Sequence, residues 1–142
     1  MQLSDFTGLW RLSRRIEDRR AGVVGRFEGQ AEFVSDEAGL ILTETGRLSY
    51  GAAAPMQAER RYLWRADGAG IAVFFADGRP FHWFSMAVPE AHHTCPPDSY
   101  DVAYEFGEWP HWQSRWAVSG PRKDYVMQSR YERGGPSDPA GG

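Results

Sequence analysis

The residues best suited to chemistry gather in one stretch, 77–106, which holds three of the four histidines and the only cysteine. His82 or His93, oriented by Asp98, could act as a general acid–base pair on a bound ligand. Such a pair would suit a cofactor-independent isomerase, dehydratase or hydrolase. In the plainer interpretation, the histidine donates a hydrogen bond to a loop carbonyl, and the neighbouring aspartate caps the turn before Tyr100. We favour that interpretation because the sequence establishes neither contact.

The same stretch offers weak candidates for a metal, a haem or a nucleophile. His93 and Cys95 are two apart, so in an extended chain they point the same way and could bind zinc with His82 or Asp98 as a third ligand. Zinc sites bring three or four ligands at a recognisable spacing, which is absent here. A lone histidine is an equally weak signal for haem, and no oxyanion-hole motif accompanies Cys95. We therefore predict no metal, no cofactor and no firm catalytic residue.

Two charged residues fall on inward faces: Glu44 lies among leucines on its strand, and Arg60 lies on the aromatic face of the next strand. If the loop 49–57 is symmetric, Glu44 lies opposite Tyr62 and Gly46 lies opposite Arg60, which makes the two charges diagonal neighbours. Arg60 with Tyr62 could bind a carboxylate or phosphate of a ligand. The alternative, which we favour, is a structural ion pair near a barrel mouth, because pairing makes the burial of charge tolerable.

These residues must be positioned by strands, because short segments of alternating apolar and polar residues run through the chain. We predict about nine strands, at 8–16, 23–34, 40–48, 59–66, 71–76, 81–86, 100–106, 112–118 and 125–132. The connections are too short for a parallel crossover. The prediction is an all-β fold, a single antiparallel barrel with a short N-terminal helical turn, no parallel sheet and an irregular segment at 88–98.

Aromatic residues at alternate positions are predicted to line the interior of this barrel. The set is Trp10, Phe27, Phe33, Tyr62, Trp64, Tyr104, Trp112, Trp116, Tyr125 and Tyr131, with Arg60, Glu44 and one histidine as polar anchors. A barrel of about eight strands holds one small ligand unless side chains fill it. We therefore predict binding of a small apolar or amphipathic molecule. The alternatives are the acid–base enzyme above and an interaction protein with a filled barrel.

The hairpin 71–86 is apolar on both faces, so alternation alone does not orient it. A loop of even length places His82 on the face of Val73, and a loop of odd length places Trp83 there. Two apolar faces also suggest a covered outer surface, such as a homodimer contact.

Composition limits the class of protein. The 142 residues are 42% hydrophobic and 25% charged, with a net charge of −3, which predicts a soluble domain over 1–133 and a flexible tail over 134–142. The acidic balance disfavours nucleic acid as a partner. We predict a cytoplasmic protein without a membrane span. The chain has one cysteine, its N-terminus is unlike a signal peptide, and it lacks an apolar run of about 18 residues.

Several motifs resemble known barrels. Gly8-Leu9-Trp10 resembles the Gly-x-Trp entry of calycins, the group of lipocalins, fatty-acid-binding proteins and nitrobindins, in which an arginine of the last strand packs across that tryptophan. Arg133 or Arg130 could take that role. The longer run FTGLW, FEGQAEF, RRYLW, DGRPFH, HTCPPDSYDVAYEF, WPHW and GPRKDY resembles an uncharacterised bacterial calycin-like family, a domain of unknown function. The resemblance implies a calycin-like barrel and no assigned activity.

Overall fold

The alternating segments form ten strands and one short 3₁₀ helix in the computed structural model, which describes residues 1–134. Most of the predicted tail, residues 135–142, lies outside the described residues. The helix spans Leu3–Phe6, and the strands are β1 Gly8–Asp18, β2 Val23–Ser35, β3 Leu40–Tyr50, β4 Met56–Asp67, β5 Gly70–Phe75, β6 Pro80–Ser85, β7 Glu90–Cys95, β8 Asp98–Glu105, β9 Trp112–Ser119 and β10 Asp124–Arg133.

All ten strands belong to one antiparallel sheet that curls into a nearly closed barrel. The order is β6-β5-β4-β3-β2-β1-β10-β9-β8-β7, so the first strand pairs with the last. The two outer strands of this order, β6 and β7, approach each other without a backbone ladder, which leaves a seam along one side of the barrel. The predicted all-β antiparallel barrel is confirmed. Among the described residues, no helix is long and apolar enough to cross a bilayer.

The tenth strand, β7, lies in the segment that we predicted to be irregular. It pairs with β8 along its whole length, with His93 opposite Tyr100 and Cys95 opposite Asp98. The sequence of β7, Glu-Ala-His-His-Thr-Cys, has no apolar alternation, so the pattern does not reveal it. The ladder to β8 makes it a strand, because strand formation depends on the neighbouring strand more than on intrinsic preference.

Glycines allow β2 and β3 to approach closely where the wall bends. Gly29 lies opposite Gly46, and a side-chain carbon at Gly29 would lie only 2.0 Å from the carbonyl oxygen of Thr45. At Gly46 the same carbon would lie 2.4 Å from the carbonyl oxygen of Glu28. Only glycine fits at these two positions, and the strong coiling that they permit helps a wide sheet to close.

One end of the barrel is plugged by Phe6 of the 3₁₀ helix. Phe6 is completely buried, and its ring centroid lies 5.1 to 5.8 Å from those of five other rings, Phe33, Trp64, Phe106, Trp109 and Trp112. We call this the closed end. The rings pack edge-on and tilted, as aromatic pairs prefer, so this end contains a dense aromatic core.

An arginine of the last strand holds the plug in place. The guanidinium carbon of Arg133 lies 3.8 Å from the ring centroid of Trp10, and Arg133 donates hydrogen bonds to the carbonyl oxygens of Thr7 and Asp5. Trp10 in turn donates from Nε1 to the carbonyl oxygen of Phe6 over 2.8 Å. Of the two arginines that the calycin resemblance suggested, Arg133 takes this role.

Candidate functional site

A buried ion pair crosses the middle of the barrel. One guanidinium nitrogen of Arg14, on β1, lies 3.0 Å from both carboxylate oxygens of Glu44, on β3. The two side chains are 6% and 3% exposed. β2 lies between their strands and presents the small Ala31 and Gly29 to the interior, so the long arginine side chain can reach across it.

Two further hydrogen bonds hold this pair in place. Arg14 donates from Nε to the Ser129 hydroxyl over 2.7 Å, and the Tyr131 hydroxyl donates to Glu44 over 3.0 Å. Burial by itself would lower the pKa of Arg14, but Glu44 and Tyr131 outweigh it and raise that pKa. Burial also raises the pKa of Tyr131, so its hydroxyl stays protonated. The cluster is therefore a structural arrangement in which each charge faces its counter-charge.

The partner of Glu44 is not the one that we predicted. Glu44 lies directly opposite Arg60 in the ladder, because the pairing continues to Leu48 opposite Met56 and shifts the register by two residues. The carboxylate nevertheless turns to Arg14, on the far side of β2, and the side chain of Arg60 is exposed. The predicted Glu44–Arg60 pair is thus wrong, and Arg60 remains a cation at the opposite end of the barrel from Phe6.

The structure separates the candidate acid–base residues. Nε2 of His82 lies 2.9 Å from the Tyr104 hydroxyl, whereas Asp98 pairs with Lys123 over 2.8 Å. His93 packs its ring 5.4 Å from that of Phe81. Asp98 therefore orients neither histidine in the described structure.

Another histidine does meet a carboxylate, on the outer surface. Nδ1 of His92 lies 2.7 Å from Asp101, and its Nε2 lies 3.1 Å from the Thr94 hydroxyl. All three side chains are exposed to water. Within residues 1–134, no three histidine, cysteine or acidic side chains come together in a group that could hold a metal ion.

A β-bulge turns two successive residues of β6 inward. The residues that join β5 to β6, 76–79, are even in number, and His82 pairs with Val73. The register then slips between Val73 and Phe74, so that Phe81 is buried beside His82. Trp83 points outward and is 46% exposed. The sequence could not show this, because both faces of the hairpin are apolar.

His82 is held in its neutral form. Burial, and to a lesser extent the nearby His93, lowers the pKa of His82 to about 3. The Nδ1 atom is buried without a hydrogen-bond partner in the described structure. Burial likewise raises the pKa of its partner Tyr104 far above the usual value, so this pair is uncharged at neutral pH.

The neutral state of His82 predicts a pH-dependent loss of stability. The ordinary pKa of histidine is about 6.5. Between that pH and about pH 3, His82 is protonated in the unfolded chain but stays neutral in the folded protein. The contribution of neutral His82 to the free energy of unfolding is therefore complete above about pH 6.5. It is lost as the pH falls, with a slope approaching about 1.4 kcal/mol per pH unit. His82→Gln should remove that slope. The measurement is chemical denaturation of both proteins at several pH values between about 7 and 4, and parallel pH profiles would contradict it.

The end of the barrel opposite Phe6 is open. There, six side chains that face the interior are only half-buried, whereas Phe6 at the closed end is completely buried. They come from six strands around the mouth and are Ile16, Leu48, Phe75, Tyr100, Trp116 and Tyr125. We call this set the mouth residues. Inward-facing apolar groups in contact with water mark a concave surface that no part of residues 1–134 covers.

Two of the mouth residues pack against the buried rings of Tyr62 and Phe81. Trp116 lies 5.9 Å from Tyr62 and 5.1 Å from Phe81, and Phe75 stacks on Phe81 at 4.6 Å. The sequence predicted Tyr62, Trp116 and Tyr125 as lining. It missed Phe75 and Phe81 because their hairpin is apolar on both faces.

Below the mouth, side chains almost fill the barrel. A cavity of about 20 Å³ remains, lined by Leu42, Glu44, Tyr62, Trp64, Val73, Tyr104, Ser114, Trp116 and Tyr131. That volume holds about one water molecule. Of the other predicted lining residues, Phe27 and Phe33 are buried, and Trp112 stacks on Tyr131 at 3.8 Å. Within the barrel, therefore, the space below the mouth is too small for any molecule larger than water.

Comparison with known proteins supports the barrel and the family. In structure the chain is similar to the S-type phycobiliprotein lyase CPES from Guillardia theta, with a TM-score of 0.60, 8% sequence identity, and coverage of 91% of this chain and 87% of that chain. At that identity the likeness concerns the fold alone. No curated protein matches the sequence. Residues 6–133 match the model of DUF6314, a family of unknown function, and the chain therefore belongs to that family.

Proposed function

We propose that this protein binds a small, largely apolar molecule in the open half of its barrel. The observation that carries the proposal is the contrast between the two ends. Phe6 plugs one end of the barrel and is completely buried there, but inward-facing rings such as Trp116 and Tyr125 are half-buried at the other end. Exposed apolar surface inside a concave wall is costly unless something covers it, and a ligand is the usual occupant of a barrel mouth.

The buried ion pair supplies the floor of this site. Arg14 and Glu44 satisfy each other, and the space beside them admits about one water. Neither charge is available to a ligand without breaking the pair, which would leave an uncompensated buried charge. The ligand therefore rests on this floor and against the mouth residues, and its apolar part covers the rings of Tyr62 and Trp116.

Fluorescence of N-phenylnaphthylamine, an uncharged apolar probe, tests this proposal. The probe should bind the wild-type protein, and Trp116→Ala should weaken binding about tenfold because it removes a large ring from the wall. Trp83→Ala is the matched control, since Trp83 lies on the outer face. Leu48→Ser, on another strand of the mouth, provides an independent variant.

Equal losses in Trp116→Ala and Trp83→Ala, or no binding to the folded wild-type protein, would overturn the proposal. Each variant is first compared with the wild type by thermal unfolding, so that a loss of binding is not confused with a loss of the fold.

A further inference from the structure

A pocket of about 400 Å³ lies at the rim of the open end. It is lined by Arg60, Arg61, Tyr62, Phe75, Ala76, Asp77 and Arg79, from β4, β5 and the turn that follows β5. Three of these side chains are guanidinium groups and one is a carboxylate. The planar guanidinium group presents several N–H donors in a geometry that matches carboxylate, sulfonate and phosphate groups.

The acidic groups near this pocket are already engaged. Asp77 accepts a 2.7 Å hydrogen bond from Nε of Arg79, and Arg79 lowers the pKa of Asp77, first through its backbone N–H. Glu59 lies 3.4 Å from Arg61. Glu44, the ladder partner of Arg60, is occupied by Arg14.

Arg60 is therefore the cation without a neutralising partner. Among residues 1–134, its guanidinium group has no carboxylate at salt-bridge distance. It lies close to the Tyr62 hydroxyl: burial raises the pKa of Tyr62, and Arg60 opposes that rise. Arg60 opposes the effect of burial on the pKa of Tyr125 in the same way. The guanidinium group of Arg60 therefore lies between the rim pocket and the mouth residues.

Two rings connect this pocket with the apolar site. Tyr62 and Phe75 line the pocket, and each also packs against the rings of the mouth. The guanidinium carbon of Arg79 lies 5.3 Å from the ring centroid of Phe75. A molecule whose apolar part covers these rings would place a group at its end within reach of Arg60.

We infer that the ligand is an amphipathic anion, whose apolar body occupies the mouth and whose carboxylate, sulfonate or phosphate group binds Arg60 in the rim pocket. This inference rests on the proposed function and names the chemical class of its ligand. Because Arg60 is exposed, the attraction to the anion is screened by salt.

Two related probes separate the charge from the apolar contact. Anilinonaphthalene sulfonate carries a sulfonate, and N-phenylnaphthylamine has a similar ring system without it. The sulfonate probe should bind the wild-type protein about tenfold more tightly than the neutral probe at low salt. Arg60→Gln should abolish that advantage and leave the neutral probe unaffected. Arg47→Gln, an exposed arginine on the outer face of β3, should change neither affinity.

A second variant tests the same site by a gain in affinity. Asp77→Asn removes the negative charge from the pocket and releases Arg79, so the sulfonate probe should bind about threefold more tightly and the neutral probe equally well. Equal affinities for the two probes, or equal effects of Arg60→Gln and Arg47→Gln, would overturn the inference while the proposed function stands. Failure of the neutral probe to bind the folded wild-type protein would overturn the proposed function itself.

Discussion

Glu44→Ala should lower the free energy of unfolding by about 3–5 kcal/mol, because it leaves the Arg14 guanidinium buried without its counter-charge. Both oxygens of Glu44 accept from Arg14 at 3.0 Å, and the Tyr131 hydroxyl also loses its acceptor. Denaturant titration followed by tryptophan fluorescence gives the change, provided that the slope of the transition is unaltered.

A matched control is Glu59→Ala, which removes a glutamate of an exposed ion pair, with Arg61. This substitution should cost less than about 1 kcal/mol, as exposed pairs usually do. The double variant Arg14→Met/Glu44→Leu should recover much of the loss, since an apolar pair needs no compensation. If Glu44→Ala costs no more than Glu59→Ala, then water reaches Arg14 and the floor of the proposed site is not sealed.

Phe6→Ala is expected to destabilise the protein by about 3–5 kcal/mol, the usual cost of removing a buried aromatic ring. Phe6 is fully buried among five other rings. The 3₁₀ helix is only four residues long, so little local structure holds it in place without this ring. Chemical denaturation measures the loss, and near-ultraviolet circular dichroism reports the repacking of the neighbouring tryptophans.

Val34→Ala, at an exposed position on β2, is the control for this substitution and should have a small effect. A cost below about 1 kcal/mol for Phe6→Ala would mean that the N-terminal segment does not plug the barrel in solution. The distinction between a closed and an open end, on which the proposed site depends, would then be lost.

The sequence alone was sufficient for the class of fold and for the inward side of most strands. In β2 the alternation of Phe27, Gly29, Ala31 and Phe33 with polar residues sets the inner face, and the structure places these four residues inside. Side chains of a strand alternate by covalent geometry, so this information is local and needs no knowledge of the neighbouring strands. The same rule placed Glu44 and Tyr62 on the inner face.

The sequence did not show the orientation of a strand whose two faces are both apolar, nor the presence of a strand that has no apolar face. The hairpin of β5 and β6 required the bulge at Val73 to show that Phe81 and His82 both turn inward. β7 required its ladder to β8. In each case the orientation depends on hydrogen bonds to another strand, and such bonds leave no periodic trace in the chain itself.

Only the tertiary structure decided which charged side chains pair and which end of the barrel is open. Glu44 could have met Arg60, its direct neighbour in the ladder, but the curvature of the barrel brings Arg14 to it from the far side of β2. This pairing buries Arg14 and leaves Arg60, among residues 1–134, without a carboxylate partner at the rim of the open end. Which end is plugged was likewise set by where the 3₁₀ helix folds back. Alternation determines which side chains face inward, whereas closure of the sheet determines which of them meet, because contacts across a barrel join residues far apart in the chain.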